Sequence, residues 1–188
     1  MFFFETIQSY NKALKNLPFH QARVDKTAKA FGFTSVDLSQ IKCENGGLCR
    51  VKAVYSKNGI ENVTYYPYEK KTVKNVTIVH ASIEYGFKYL DRTELEALKP
   101  IGCDDIFIVK DGLVTDTLIA NTAFFNGKEW LTPHKPLLEG TTRQRLIQSG
   151  FLKTAPIKVS DIPFFQSFAM MNAMIGFDEV KDLKIKFG

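Results

Sequence analysis

Apolar residues recur along this chain at two spacings, and the spacing changes at glycines and prolines. The opening run FFFETIQ reads as a strand, with Asn11 to Pro18 as a connection. From Phe19 to Phe31 the period lengthens, placing Val24, Thr27/Ala28 and Phe31 on one helical face before Gly32 stops the helix. Arg23 lies beside that stripe, so its guanidinium is expected to reach out of the core. Cys49, Val51, Ala53 and Tyr55 then alternate, Asn58-Gly59 offers a turn, and IENVTYY returns as the partner strand. A further apolar run, VTIVHASIEYGF, leads into Lys88. Asp91 is placed to cap the helix that follows, with Glu94 three residues on.

The densest punctuation falls between Cys103 and Gly150. Asp111-Gly112 separates IFIVK from LVTDT, and Asn126-Gly127 separates TAFF from KEWLTP. Both dipeptides tolerate positive φ, so each predicts a hairpin. Directly after Gly140 a helix is predicted from Thr141 to Ile147, with Gly150 as a left-handed cap. A glycine and two threonines at a helix start leave backbone N–H groups exposed, which suits an anion. Near the end, Ser160 is a candidate cap, and an apolar run containing Met170 and Met171 closes on Asn172-Ala173-Met174.

Composition narrows the class of function. The chain has 188 residues, 45% of them hydrophobic and 16 of them Phe, enough to bury a core. A net charge of +5 arises from 25 basic and 20 acidic residues that are interspersed. With no basic block, a mixed surface is expected and nucleic acid is not, while an anionic small-molecule substrate would suit the positive field. Cys43, Cys49 and Cys103 lack Cys-x-x-Cys spacing, which argues for reduced thiols, no zinc site and a cytoplasmic protein. The apolar start is interrupted at Glu5, too soon for a signal peptide or a membrane span.

Four short motifs in order resemble the class IV aminotransferases, the fold-type-IV pyridoxal 5'-phosphate enzymes. His20-Gln21-Ala22-Arg23 matches the family's His-x-x-Arg. Phe87 to Leu98, FKYLDRTELEAL, is placed like the segment holding the family's Schiff-base lysine. Val114 to Asn121, VTDTLIAN, matches its Val-Thr-Glu strand and the Asn-ended turn. Gly140-Thr141-Thr142-Arg143 matches its Gly-Ile-Thr-Arg phosphate loop. Two departures stand out. Asp116 replaces the usual glutamate, and the glycine-rich segment that precedes Phe-Glu-Thr in relatives is not seen ahead of Phe4-Glu5-Thr6.

The resemblance implies an α+β, two-domain enzyme with a small domain over 1–80, a larger cofactor domain over 81–188, and the cofactor site between them. It implies pyridoxal 5'-phosphate carried by Lys88, the phosphate held by Arg23, Gly140, Thr141 and Thr142, and Asp116 at the pyridine nitrogen. Arg92, Asn121, Asn172 and Ala173 complete the implied cofactor-binding set, and family members are homodimers. Lys88-Tyr89-Leu90-Asp91-Arg92 and Asn172-Ala173-Met174 lie nearer the family's lyases, which convert 4-amino-4-deoxychorismate to p-aminobenzoate and pyruvate in folate biosynthesis. A branched-chain or D-amino acid transaminase of the same fold is the alternative, and a non-catalytic basic binding module is a third reading.

Overall fold

The computed structural model describes residues 1–187. The chain divides into two compact units, each described by itself: Met1–Lys70 with Phe87–Asp91, and Lys71–Gly86 with the chain from Arg92 onward. Both mix strands with helices, so the fold is α+β.

In the first unit, β1 (Phe3–Tyr10), β2 (Ala13–Leu14), β3 (Cys49–Ser56) and β4 (Gly59–Pro67) form an antiparallel sheet in the order β2-β1-β3-β4. β1 alternates as its sequence predicts, with Phe3, Glu5, Ile7 and Ser9 facing inward opposite Tyr55, Ala53, Val51 and Cys49 of β3. Helix α1 (Leu17–Phe31) covers that face through His20, Val24, Thr27 and Ala28. It starts earlier than the hydrophobic period suggests, because Pro18 is at home in a first helical turn. Phe31 is half exposed, yet its ring meets those of Phe3 and Phe87 at 4.9 Å. The predicted connection before α1 contains a tight hairpin, since Asn11 and Lys12 both adopt positive φ (50° and 63°) between β1 and β2. In the β3–β4 hairpin Ser56 pairs with Gly59, so Lys57-Asn58 make the turn and Gly59 follows it at φ 120°. The stretch 87–91 runs along the edge of β1: Tyr89 bridges Phe3, and the Phe4 N–H donates to the Lys88 carbonyl at 3.0 Å.

The second unit contains β5 (Asn75–His80), α2 (Thr93–Ala97), β6 (Asp105–Lys110), β7 (Leu113–Val114), β8 (Asn121–Phe125), β9 (Trp130–Pro133), α3 (Thr141–Gln148), β10 (Leu152–Ala155), β11 (Ser167–Asn172), β12 (Gly176–Val180) and β13 (Lys184–Lys186). They make two sheets, β13-β5-β6-β7 and β10-β9-β8-β11-β12. Phe107 of one sheet meets Phe124 and Phe168 of the other at 5.9 and 4.9 Å, which puts the main core between the sheets. On the far face of the larger sheet, Ala123, Leu152, Ala169 and Met171 pack under Leu146 and Ile147 of α3. Met170 and Met171 therefore point to opposite faces, and both are core.

Asp111 and Gly112 form the expected two-residue turn with φ of 51° and 77°. The second hairpin is also present, but its loop is four residues long. Asn126 Oδ1 accepts from the Lys128 and Glu129 N–H groups at 2.9 Å each, a side-chain turn that displaces the expected tight one. β5 stops at His80, which pairs with Val109 near the end of β6, and the rest of the apolar run leaves the sheet after the Ala81 N–H bonds Val109 O at 3.0 Å. Helix α2 has Arg92, not Asp91, at its N-cap, and the 3-10 turn Val159–Phe164 is capped by Asp161, which accepts the Lys158 N–H at 2.8 Å, rather than by Ser160. Gly150 (φ 76°) ends α3 as expected, with Phe151 N–H bonded to Leu146 O and Gly150 N–H to Ile147 O. Among the described residues, no helix is long and apolar enough to cross a membrane.

Candidate functional site

The chemistry of the second unit gathers around a four-residue turn. Asp116 and Asn121 flank Thr117–Ala120 and face each other as an antiparallel bridge. Asn121 Nδ2 donates to Asp116 Oδ1 at 2.7 Å and to the Leu138 carbonyl at 2.8 Å, while the Leu138 N–H donates to Asp116 Oδ2 at 2.9 Å. The loop ahead of α3 is thus closed onto the carboxylate. Burial pushes the Asp116 carboxyl up to about 6, against the pull of these donors and of the Arg143 charge. These donors are neutral, so this acid carries a desolvation cost that a hydrogen-bonded cation would offset.

Gly140 fixes the distance between this pair and the helix. A Cβ on Gly140 would lie 1.9 Å from Asn121 Oδ1. Its backbone (φ −69°, ψ 142°) is open to any residue, so close approach is what requires glycine here. Gly140 also brings no side-chain cap to α3. The N–H groups of Thr141, Thr142 and Arg143 accordingly have no intrahelical acceptor, and Thr141 and Thr142 are themselves buried. A helix start of this kind favours a phosphate through its donors and its positive end.

Arg143 serves the scaffold. Its Nη2 donates to Pro133 O at 2.7 Å and its Nε to Thr132 Oγ1 at 3.4 Å, which ties α3 to β9. Burial lowers its pKa, opposed by the charges of Asp116 and Glu139.

Arg92 and Asn172 meet the same turn from outside. Arg92 Nη2 donates to Leu118 O at 2.7 Å, and Asn172 Nδ2 donates to Ile119 O at 3.1 Å. Asn172 Oδ1 also accepts the N–H groups of Met174 and Ile175, which fixes the turn containing Ala173.

Arg23 and Lys88 belong to the first unit, both against β1. Arg23 does not reach outward as its position on the helix suggested: its Nε and Nη2 lie 2.8 and 2.6 Å from the two oxygens of Glu5. His20 Nδ1 lies 2.6 Å from Glu5 Oε2. Burial pushes the Glu5 carboxyl up, but Arg23 and His20 outweigh it and hold the group at about 2. An ionised carboxylate only accepts, so His20 Nδ1 carries the shared proton. Lys88 places its Nζ 4.5 Å from the centroid of the Phe4 ring.

The structure therefore brings Asp116, Asn121, Gly140, Thr141 and Thr142 into one constellation, with Arg92 and Asn172 fastened to its turn. Sequence reasoning passed over Leu138, whose contribution is purely backbone, and the buried Glu5. A signal for Glu5 was present: it shares strand parity with Phe3 and Ile7, and a buried carboxylate needs the hydrogen-bond donors that His20 and Arg23 offer at helical spacing.

The α+β architecture is that of the fold-type-IV enzymes. The chain belongs to the amino-transferase class IV family, whose model matches residues 49–183. Members of this family are pyridoxal phosphate-dependent enzymes, among them lyases and aminotransferases. An uncharacterized protein of Haemophilus influenzae is 32% identical over 184 residues, covering 92% of this chain and 97% of its own length. A crystal structure of a protein from Haemophilus somnus 129PT, provisionally named a 4-amino-4-deoxychorismate lyase, has a TM-score of 0.84 and 31% identity over 93% of this chain and 97% of that one. The pyridoxal phosphate-bound form of a hypothetical aminotransferase from Mycobacterium tuberculosis has a TM-score of 0.82, covering 97% of this chain and 81% of that one. At 18% identity that likeness shows the fold alone.

Proposed function

We propose that this chain is a pyridoxal phosphate-dependent lyase that converts 4-amino-4-deoxychorismate to p-aminobenzoate and pyruvate, and that it works as a cytoplasmic homodimer. The observation that carries the reading is the likeness to the Haemophilus somnus protein, which spans nearly the whole of both chains at 31% identity. The Asn172-Ala173-Met174 turn, held by the Asn172 side chain, supports the same choice.

The residues fit the cofactor. Asp116 is a buried acid whose hydrogen-bond donors, Asn121 Nδ2 and the Leu138 N–H, are neutral, which suits a ring N–H as a further donor to its oxygens. The start of α3 lacks a side-chain cap, which suits a phosphate. Bound there, pyridoxal phosphate would supply an electron sink for the pair left when a proton leaves the carbon bearing the substrate amine.

This chain's residues have separable tasks. Lys88 Nζ would carry the cofactor and then hold and move the substrate proton. The Asp116 carboxylate would keep a proton on the ring nitrogen, because an adjacent negative charge favours the protonated ring. Thr141 and Thr142 would bind the phosphate through their N–H groups and Oγ atoms. Arg23, oriented by Glu5, would add a fixed cation, and Asn121 would hold Asp116 in place. The products together contain the atoms of the substrate, so no second reactant is required.

The deciding experiment supplies enzymatically generated 4-amino-4-deoxychorismate to the holoprotein. Equimolar p-aminobenzoate and pyruvate are expected, with the cofactor recovered as the aldehyde. Recovery as pyridoxamine phosphate after exposure to branched-chain or D-amino acids, without p-aminobenzoate, would make the chain a transaminase. A colourless protein that takes up no cofactor would make it a binding module. Sedimentation of the purified protein as a monomer would remove the homodimer.

A further inference from the structure

The turn that separates Asp116 from Asn121 closes without outside help. The Thr117 N–H donates to Ala120 O at 2.9 Å, and Thr117 Oγ1 accepts from Ile119 N–H at 3.3 Å and Ala120 N–H at 3.1 Å. It nevertheless receives three side chains from distant parts of the second unit. Two are Arg92 and Asn172, on the Leu118 and Ile119 carbonyls. The third is Asp105, the first residue of β6, whose Oδ1 accepts the Leu118 N–H at 3.0 Å as well as the Ile106 N–H at 2.8 Å. Leu118 is thus gripped at both its N–H and its carbonyl. Ile119, the next residue, is 54% exposed, and the bond from Asn172 to its carbonyl lies at the surface, where water could also serve. Satisfying a buried group does not explain that grip; fixing position does.

Asp105 bears a cost in doing so. It is 2% exposed, and its Oδ2 is buried with no hydrogen-bond partner among the described residues. A half-satisfied buried carboxylate is unfavourable, and burial raises its pKa. Such a group persists where the surrounding structure over-determines it, and functional sites are where such features cluster.

We propose that Asp105 is a positioning residue of the cofactor site: it anchors Leu118 from β6 so that Asp116 and Asn121, on either side of the turn, hold a fixed mutual geometry. This rests on the reading of Asp116 as the cofactor's ring partner. Arg92 and Asn172, which the family resemblance implies among the cofactor-binding residues, share this task, because each grips the turn's backbone. Asp105 differs from them in being inside the unit, where its single anchoring oxygen sets the depth of the turn.

The test compares Asp105→Ala, which removes the anchor, with Asp105→Asn, which keeps an acceptor for the Leu118 N–H and puts a donor where Oδ2 is orphaned. In the protein without cofactor, hydrogen exchange across Leu118–Asn121 is expected to accelerate at least tenfold in Asp105→Ala and to return to within threefold of wild type in Asp105→Asn. In a separate titration followed by cofactor absorbance, Asp105→Ala is expected to weaken pyridoxal phosphate binding at least tenfold, with rescue by Asp105→Asn. A folded Asp105→Ala protein with wild-type exchange and affinity overturns the proposal, as does equal impairment by Ala and Asn. Should Asp105→Ala not fold, Asn172→Ala removes the Ile119 anchor from an accessible side chain. Unchanged exchange and affinity in that variant overturn the proposal equally. Failure of the wild-type protein to bind the cofactor overturns the functional reading, whereas the exchange result judges the anchoring by itself.

Discussion

Arg23 meets Glu5 edge to edge, with Nε and Nη2 at 2.8 and 2.6 Å from the two carboxylate oxygens. In this pair, joined by His20, Glu5 is fully buried and Arg23 largely so, and the pair shapes how the first unit responds to acid. The folded-state pKa of Glu5 is depressed, from 4.5 to about 2. Its contribution is therefore present above about 4.5 and is lost as pH falls toward 2. Glu5→Gln should lower stability at pH 7 by roughly 3–5 kcal/mol, because it removes one charge of a largely desolvated pair. It should also flatten the pH dependence below 4.5. Denaturant melts at pH 7, 4.5 and 3 measure both, and an unchanged pH slope in Glu5→Gln would refute the assignment.

Lysine at position 23 separates the charge from the fork. Arg23→Lys keeps a cation near Glu5 but loses the paired N–H geometry that orients it. If Arg23 helps to hold the cofactor phosphate, the affinity for pyridoxal phosphate should fall by about tenfold or more, the equivalent of about 1.4 kcal/mol. Equal affinities for the wild type and Arg23→Lys would take the guanidinium geometry out of the binding site.

Several of the local elements around these residues are legible in the sequence. Local rules sufficed for the Asp111-Gly112 turn, the helix start at Thr141 and the Gly150 cap, because each depends on the conformations open to two or three adjacent residues. What escaped was long-range or backbone-borne. Leu138 contributes an N–H and a carbonyl, which no residue type advertises. The Arg92 and Asn172 grips on Leu118 and Ile119 join segments 26 and 53 residues apart. The direction of Arg23 depended on a carboxylate 18 residues away on a different element. Sequence spacing placed Arg23 beside the apolar stripe, but only the fold shows that Glu5 draws it back.

Gly140 and Asn121 should behave as a coupled pair. A Cβ at 140 would overlap Asn121 Oδ1 at 1.9 Å, so Gly140→Ala must displace the side chain that bonds Asp116. Overpacking of this sort costs about 1–3 kcal/mol. In an Asn121→Ala background the obstructing amide is gone, and the same glycine substitution should cost well under 1 kcal/mol. Thermal or denaturant melts of the four proteins in the cycle decide it. Additive effects would show that the close approach does not restrict residue 140.

Asp116 carries the opposite linkage from Glu5. Its folded-state pKa is raised, from 3.8 to about 6, so the folded protein binds the extra proton in between. Without cofactor, stability from this group rises as pH falls through 6, and the gain is complete below 3.8. The stability difference, wild type minus Asp116→Asn, should therefore grow from pH 7 to pH 4. Cofactor affinity should move the other way and weaken below about 6, where Asp116 loses the charge a ring N–H would favour. In Asp116→Asn that step should be absent. The same affinity profile in both proteins would mean that the Asp116 carboxylate does not face the ring.

Lys88 should be the single covalent attachment point of pyridoxal phosphate. Its carbonyl accepts the Phe4 N–H at 3.0 Å, which locks the backbone to β1, and its Nζ lies over the Phe4 ring at 4.5 Å. A primary amine on a stem fixed in this way can act, once deprotonated, as the nucleophile toward the cofactor aldehyde. Lys110 is a natural comparison, because its ammonium is paired with Glu84 and bonded to the Ile83 carbonyl. Borohydride reduction of the holoprotein followed by peptide mass spectrometry should place the adduct on the peptide containing Lys88. Lys88→Arg keeps a cation for Phe4 but offers no amine that can condense with the aldehyde. It should fold with wild-type stability, bind the cofactor only reversibly and yield no reduced adduct. An adduct found on Lys99 or Lys110, or one that persists in Lys88→Arg, would move the reactive amine elsewhere.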